Sequence, residues 1–172
     1  MKLIIGIDTE TSGFSPKYDS IIQIGAAVLH GSKVISRLQI NCRCAKPLRP
    51  VIVELTGIKD HHLKYAPTQQ QASKLLWEWV QLYPDAIIVG YKSDFDIRFL
   101  SVAYSKFSQL PIIDLLPFCQ ARLLTIDNHK LGTVCEYLGI KIPNHTALAD
   151  AIAVARVARH FRKQIKRFMR GR

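Results

Sequence analysis

Two acidic residues lie two positions apart at the end of the chain's first apolar run. The run Leu3–Ile7 is typical of a buried strand, and Asp8 and Glu10 follow it directly. Side chains at positions i and i+2 of a strand point to the same face. An unpaired buried carboxylate is costly, and no Lys or Arg is an immediate neighbour, so this pair calls for a cation such as Mg²⁺. The alternative is that Asp8 caps a turn and Glu10 is solvated.

Two later acidic sites are placed where they could join this pair. Asp96 lies in the first turn of a predicted helix that follows a buried strand, Ala86–Gly90, and ligands of α/β sheets collect beyond the carboxyl ends of strands. Asp150 lies in the first turns of the last predicted helix, and His145 precedes that helix. Asp94 is expected to be only a helix N-cap. Taken alone, His145 fits a capping or surface imidazole as well as a functional one.

The elements that must position these residues alternate between strands and helices. Three strands come first, and the turn His30–Lys33 joins the second and third as a hairpin. Thr68 is expected to cap an amphipathic helix that buries Ala72, Leu75, Leu76 and Trp79. A mixed sheet with helices on its faces, the α/β class, follows. The remaining predicted elements are short helical turns over 54–62, a helix over 94–104, a strand over 112–115, helices near 118–124 and 130–138, and a long helix from about Thr146 to the basic end.

Composition limits the class of protein. The chain has 172 residues, of which 48% are hydrophobic, and no linker or repeat interrupts it, so one domain over 1–172 is expected. The four cysteines form no C-x-x-C pair, and the apolar stretches are too short to cross a bilayer. Met1-Lys2 leads directly into the first apolar run, so no signal peptide is expected. We therefore predict a cytoplasmic protein with no membrane partner.

The charge is strongly positive and concentrated toward the C-terminus. Lys and Arg number 24 against 13 acids, and the segment from Arg156 onward carries eight bases and no acid. A basic protein that concentrates its acidic residues at a few positions is typical of an enzyme that acts on a polyanion through metal ions. The basic end, from about residue 156, has four candidate roles: it could bind nucleic acid, an anionic membrane or a partner protein, or it could be a core-packed helix with a solvated end.

Three ordered motifs resemble the DEDDh group of 3′→5′ exonucleases, which includes polymerase proofreading subunits and RNase T-like enzymes. The first is Asp8-x-Glu10-Thr-Ser-Gly13, the second is Phe95-Asp96, and the third is His145-x₄-Asp150. The resemblance covers residues 3 to about 160 and implies an RNase H-like fold with a mixed five-stranded sheet. The chain departs from the family at Tyr91-Lys92, where His-Asn is common, and this departure bears on substrate preference.

The resemblance also implies roles for individual residues. Two Mg²⁺ ions, for which Mn²⁺ can substitute, would lie about 4 Å apart and promote phosphodiester hydrolysis. His145 would take the proton from the attacking water, because imidazole is a suitable general base at neutral pH. The expected metal ligands are Asp8, Glu10, Asp96 and Asp150, and the expected substrate contacts are Thr11, Phe14, Ile58 and Lys92.

The predicted function is thus a metal-dependent 3′→5′ exonuclease that acts on nucleic acid with a free 3′ end. A single DNA strand is the leading substrate, and a DNA polymerase is a candidate partner. The choice of DNA depends on the frequency of DNA enzymes in the family rather than on any residue. Two alternatives stay open: an exoribonuclease that trims RNA 3′ ends, and a non-catalytic domain that binds nucleic acid or a polymerase.

Overall fold

Five strands form one mixed sheet in the order β3-β2-β1-β4-β5. The structure, a computed structural model, describes residues 2–142 and 145–170, excluding the side chains of 168–170. β1 and β2 are antiparallel, as are β2 and β3, whereas β4 lies parallel to β1 and β5 lies parallel to β4. This arrangement confirms the predicted mixed α/β sheet. The strands are β1 Ile4–Thr11, β2 Ile21–His30, β3 Lys33–Asn41, β4 Ile87–Gly90 and β5 Ile112–Asp114.

Eight α-helices and one 3₁₀ helix (Ser105–Gln109) accompany the sheet within the described ranges. No described helix combines the length and apolar character needed to cross a membrane. The helices are α1 Pro50–Thr56, α2 Asp60–Leu63, α3 Gln69–Gln81, α4 Asp94–Ala103, α5 Leu116–Arg122, α6 Leu131–Tyr137, α7 Ala147–His160 and α8 Arg162–Arg170.

The two faces of the sheet carry separate cores because side chains alternate along each strand. Ile4 contributes to the core under α7, together with Val154 and Phe161. Ile5 and Ile7 point the other way, into the core under α3 and α4. The positions that continue the α7 face of β1 beyond Ile4 are Gly6, Asp8 and Glu10. The acidic pair therefore emerges on the side of the sheet that α7 covers.

Glycines bring α7 unusually close to the sheet. A Cβ atom on Gly25 would lie 2.0 Å from the backbone carbon of Ala147, and a Cβ on Gly6 would lie 2.0 Å from the carbonyl oxygen of Ala151. No side chain fits such a gap, so both strands need glycine where the helix crosses them. The close approach places the first turns of α7 beside the carboxyl-terminal half of β1.

Three sequence-based details were wrong. Leu75 is 49% exposed, because α3 instead buries Ala72, Leu76 and Val80. Ser93 is the N-cap of α4, and Asp94 is its exposed first residue, where a negative charge suits the helix dipole.

The third correction concerns the final helix, which was predicted to be continuous. It breaks at Phe161 into α7 and α8. Phe161, at the junction, and Ile165 are both buried in the core under α7, at 3% and 1% exposure. The helical spacing of Phe161, Ile165 and Phe168 predicts one apolar face on this segment, and the side chain of Phe168 lies outside the part that the structure describes.

Candidate active site

Three of the predicted acidic residues converge on one point. Asp8, Glu10 and Asp150 each offer a carboxylate oxygen, and these oxygens all lie within 4.8 Å of one another. β1 supplies the first two on one face, and the first turns of α7 supply the third. The separation is short enough for one ion to contact all three. The sequence prediction that Asp150 joins the acidic pair is therefore matched by the geometry.

Asp96 adjoins this cluster but is held separately. Oδ1 of Asp96 accepts hydrogen bonds from the backbone N–H of Thr9, at 3.0 Å, and from its hydroxyl, at 2.6 Å. β4 pairs with β1 only from Ile4 to Gly6, so the edge of β1 at Thr9 is free to donate. Thr9 lies between the acidic pair and points to the opposite face. It fixes Asp96, which is 5% exposed, at the end of β1.

Burial and mutual repulsion make these carboxylates reluctant to ionise. Burial, and then the charges of Asp96, Asp150 and Glu10, raise the pKa of Asp8 well above its ordinary value. Burial raises the pKa of Glu10 to about 7, with further contributions from Asp150 and Asp96. Burial also raises the pKa of Asp96 to about 7, although the hydrogen bonds from Thr9 oppose this shift.

In the described part of the chain, no Lys or Arg forms an ion pair with the acidic residues of the cluster. Among the described residues, the one Lys or Arg ion pair joins Lys74 and Glu78, far from β1 in sequence and exposed. Burial raises the pKa of Asp150, and the charge of His145 opposes that rise, so this imidazole is within electrostatic reach of the cluster. A set of oxygen donors without a Lys or Arg partner fits hard divalent cations, which carboxylates hold in proteins.

Polar contacts at the start of α7 fix Asp150 and His145 relative to β1. The hydroxyl of Thr146 caps the helix by accepting from the N–H of Ala149, at 3.2 Å. The side-chain oxygen of Gln23, a buried residue of β2, accepts from the N–H of Ala147 at 3.1 Å. Gln23 also lies opposite Glu10 in the strand register. It therefore connects both halves of the acidic cluster.

Sequence reasoning missed Gln23 and Thr9. A signal existed for Gln23, because it is the one polar residue in the apolar run 21–29. A buried polar side chain in such a run needs a partner. For Thr9 the alternation of the strand indicated the opposite face, but nothing in the sequence identified Asp96 as the group it binds.

The predicted substrate contacts occupy different surroundings. Phe14 is 83% exposed and contacts Phe95 edge-on, with 6.5 Å between ring centroids. The hydroxyl of Thr11, in the last position of β1, donates to the carbonyl of Gly13. Ile58 is only 5% exposed and packs with Ile22. The structure therefore gives Ile58 a packing role and leaves it little surface for a nucleotide.

Lys92 adopts an uncommon backbone conformation. Its φ angle is 56°, in the left-handed region that residues with a Cβ atom seldom occupy. The N–H of Lys92 donates to Oδ1 of Asp114 at 2.8 Å, which stabilises the turn between β4 and α4. The side chain is exposed. The turn directs the start of α4, and hence Asp96, toward β1.

Comparison with known proteins agrees with the geometry. The exonuclease family model RNase_T matches residues 5–158. The DNA polymerase III PolC-type of Bacillus subtilis is 34% identical over 154 residues, which are 86% of this chain and 10% of that protein. The corresponding protein of Streptococcus pneumoniae is 31% identical over 164 residues, 92% of this chain and 11% of the relative. The chain thus spans about a tenth of the length of these curated relatives.

Solved structures share the fold at lower sequence identity. Escherichia coli exonuclease I, in complex with a dT13 oligonucleotide, superposes with a TM-score of 0.77 and 21% identity, covering 98% of this chain and 43% of that one. The nuclease domain of 3′hExo, a DEDDh family member bound to rAMP, also gives 0.77, with 20% identity, covering 95% of this chain and 92% of that domain. These structures show the fold, and the match of the exonuclease family model over residues 5–158, together with the PolC-type relatives, shows that the chain belongs to the RNase_T exonuclease family.

Proposed function

We propose that this protein is a divalent-metal-dependent 3′→5′ exonuclease that removes nucleotides from the 3′ end of a DNA strand. The observation that carries the proposal is the convergence of Asp8, Glu10 and Asp150 within 4.8 Å, with no Lys or Arg ion pair from the described residues. Such a cluster opposes folding unless it binds cations, which indicates that its role is functional.

The acidic residues would hold the divalent ions of the family, for which we propose two Mg²⁺. Asp8, Glu10 and Asp150 form the main ligand set, and Asp96, bound to Thr9 through Oδ1, completes it. Ions bound there supply Lewis-acid stabilisation of the phosphate and activation of the attacking water. Carboxylate oxygens also accept Mn²⁺, so Mn²⁺ is expected to substitute.

His145 is the proposed general base. It is exposed, it precedes α7 directly, and its charge affects the pKa of Asp150. An imidazole nitrogen on this side of the cluster can take the proton of the attacking water and pass it to solvent. The contacts of Thr146 and Gln23 at the start of α7 position His145 for this step.

The terminal nucleotide is proposed to lie between Phe14 and the turn at Lys92. The exposed ring of Phe14 offers an apolar face to a base, and stacking of a base on an aromatic ring requires no particular sequence. The exposed ammonium group of Lys92 can contact a backbone phosphate. The backbone and hydroxyl of Thr11, at the end of β1, are proposed to contact the same nucleotide. Ile58 contributes only through its packing with Ile22 in the core.

DNA is favoured over RNA by the relatives rather than by any one contact. The curated relatives with 31–34% identity are DNA polymerases of the PolC type, so a proofreading or repair role with a polymerase as partner is the leading form of the proposal. The fold itself does not discriminate, because its neighbours were solved with dT13 in one case and rAMP in the other.

The test uses 5′-labelled single strands of DNA and RNA with matched sequence, incubated with the purified protein in Mg²⁺ or in EDTA. We expect a ladder that shortens from the 3′ end in Mg²⁺ only, with DNA degraded faster. Faster degradation of RNA would assign the protein to RNA 3′-end trimming. Tight binding without any ladder would instead indicate a non-catalytic nucleic-acid-binding domain.

A further inference from the structure

A broad basic cleft lies at the far end of α7 from the acidic cluster. It has a volume of about 1280 Å³ and lies between the β2–β3 hairpin, the segment after α6 and the junction of α7 with α8. We call it the basic cleft. Its six cationic side chains are Lys33, Lys141, Arg156, Arg159, Arg162 and Lys163.

These positive charges are not balanced by the protein. No Asp or Glu lines the cleft in the part of the chain that the structure describes, and no ion pair there involves its cations. Among the described residues, the six side chains form one hydrogen bond, a long one of 3.5 Å from Arg156 to the carbonyl of Lys141. Gathering like charges destabilises the folded state, and a bound polyanion would relieve this repulsion.

The strand register shows how the cleft relates to the active site. Glu10 pairs with Gln23 near one end of β1, whereas Leu29, just before the hairpin, pairs with Ile4 at the other end. α7 joins the two regions. Nine residues separate Asp150 from Arg159, which corresponds to about 14 Å along a helix axis. Nine residues are also about two and a half turns, so the two side chains leave α7 on opposite sides. At about 3.4 Å per stacked nucleotide, a strand needs roughly four nucleotides for the axial distance alone, and more to pass around the helix.

The packing of α8 argues against a membrane as the ligand. A helix that binds a membrane surface inserts its apolar face into the lipid. Here Ile165 is 1% exposed and packs in the core under α7, as does Phe161 at the junction. The described apolar side chains of this segment are thus used within the protein, while Arg159 and Lys163 face solvent. Arginine forks and lysine ammonium groups are the usual partners of backbone phosphates.

We infer that the basic cleft is a second nucleic-acid-binding site, which holds backbone phosphates of the substrate strand several nucleotides 5′ of the bond being cleaved. The inference rests on the proposed exonuclease function and extends it to the substrate, because a strand held at both places must be longer than a few nucleotides. The cleft contacts phosphates, so it is expected to tolerate any base sequence.

The test compares two double variants with the same change in charge. R159A/K163A removes two exposed cations of the cleft, and alanine suits the helices that carry them. K74A/K106A removes two exposed lysines, one on α3 and one on the 3₁₀ helix, whose neighbours Leu76 and Phe107 pack in the core on the opposite face of the sheet. Each protein is titrated against a labelled DNA strand of about 20 nucleotides, longer than typical single-strand site sizes of about 4–16 nucleotides. The titration is repeated at several salt concentrations in EDTA.

We expect R159A/K163A to reduce the salt dependence of binding. Each lost phosphate contact with a single strand lowers the slope of log K against log salt by about 0.7, so the pair lowers it by about 1.4. The ratio of the wild-type affinity to the variant affinity therefore grows about 25-fold for each tenfold fall in salt concentration. The control variant should keep nearly the wild-type slope. Any change in its slope should be no larger than its lower net charge alone produces.

A kinetic comparison separates this inference from the proposed function. In Mg²⁺, R159A/K163A should lose kcat/KM on the long strand while turning over a trinucleotide, too short to reach the cleft, like wild type. If R159A/K163A kept the wild-type salt slope and the wild-type kinetics on the long strand, the inference would be overturned. The cleft would then be assigned to an acidic protein partner. Loss of trinucleotide turnover would also overturn it, because the effect would then lie in the active site. Failure of wild type on both substrates would refute the exonuclease itself.

Discussion

At the scale of single residues, the site depends on carboxylates that the fold buries close together, where their charged forms are unfavourable. Asp8 and Glu10 share one face of β1 with Asp150, and burial raises the pKa of each. The same strand uses the intervening Thr9 to anchor Asp96 from the other side. One short segment thus organises all four carboxylates of the proposed metal site.

Replacement of His145 tests the proposed general base. His145→Ala should lower kcat by roughly 10²–10⁴-fold, the usual contribution of a positioned base. KM should change little, because the residue is not proposed to bind the strand. The rate is measured on single-stranded DNA across a range of pH, and the variant should lose the part of the pH dependence that belongs to the imidazole.

The matched control for His145 is His61→Ala. His61 is an exposed histidine of α2, outside the acidic cluster. It should keep wild-type kinetics. A His145→Ala variant with wild-type kcat and an unchanged pH profile would eliminate this residue as the base and return it to a surface role.

At the scale of elements, the active site requires α7 to lie against the sheet. Gly25 and Gly6 permit the close contact between α7 and the sheet. The side chain of Gln23 accepts a hydrogen bond from the N–H of Ala147 at the start of the helix. The position of Asp150 relative to β1 is therefore set by backbone packing. Small changes beneath α7 should affect the chemistry without touching an acidic residue.

Gly25→Ala tests the dependence on α7. The new Cβ would meet the backbone of Ala147 at 2.0–2.2 Å, and a backbone cannot rotate away, so α7 must shift. We expect a loss of about 1–3 kcal/mol in the free energy of unfolding, as for other overpacked cores, together with a fall in kcat. Chemical denaturation and the exonuclease rate measure the two effects.

Gly132→Ala provides the control for the glycine substitution. Gly132 lies in α6, and a Cβ there would meet no atom within 4 Å. Alanine should stabilise this helix by about 0.5–1 kcal/mol and leave the rate unchanged. If Gly25→Ala retained full stability and full activity, the close contact of α7 with β2 would not position the site.

Sequence reasoning succeeded where the pattern was local and failed where packing decided the outcome. The alternation of β1 correctly placed Asp8 and Glu10 on one face, and the ordered motifs correctly identified the family. Leu75 was expected inside because its spacing fits a helical stripe, but its side chain is about half exposed. The break at Phe161 and the anchoring of Asp96 by Thr9 depend on distant contacts that spacing cannot reveal.

At the scale of the whole molecule, charge is separated along α7. Acidic residues gather at its beginning, and the basic cleft lies at its end. Under the proposed function, one polyanion would contact both regions, directly in the cleft and through bound metal ions at the cluster. Metal-free protein must bear the repulsion at both places. Its stability should therefore respond to pH and to divalent cations.

The metal-free protein should lose stability as pH rises from about 4.5 to about 7. Glu10 has a pKa of about 7 when folded against 4.5 ordinarily, so the folded state binds more protons than the unfolded state in this window. The free energy of unfolding then falls with rising pH. Melting temperatures in EDTA at about pH 5.5 and about pH 8 measure this trend, with Glu10→Gln as the variant in which the trend weakens.

Adding Mg²⁺ at the higher pH should restore the melting temperature. A ligand that binds only the folded state stabilises it by mass action, and carboxylates must be deprotonated to bind metal. Glu10→Gln should respond less to Mg²⁺ than wild type. If the melting temperature of the wild-type protein changed with neither pH nor Mg²⁺, this result would contradict a metal site at the acidic cluster.

We propose that the cluster around Asp8 binds metal for hydrolysis. The variant Asp8→Asn gives the sharpest test of this role. Asparagine keeps the size of the side chain but removes a buried charge whose neighbours repel it. One experiment measures 3′-end degradation of DNA in Mg²⁺ and the melting temperature in EDTA for both proteins. Asp8→Asn should lose hydrolysis while its metal-free melting temperature stays the same or rises. Wild-type hydrolysis by the folded variant would contradict it.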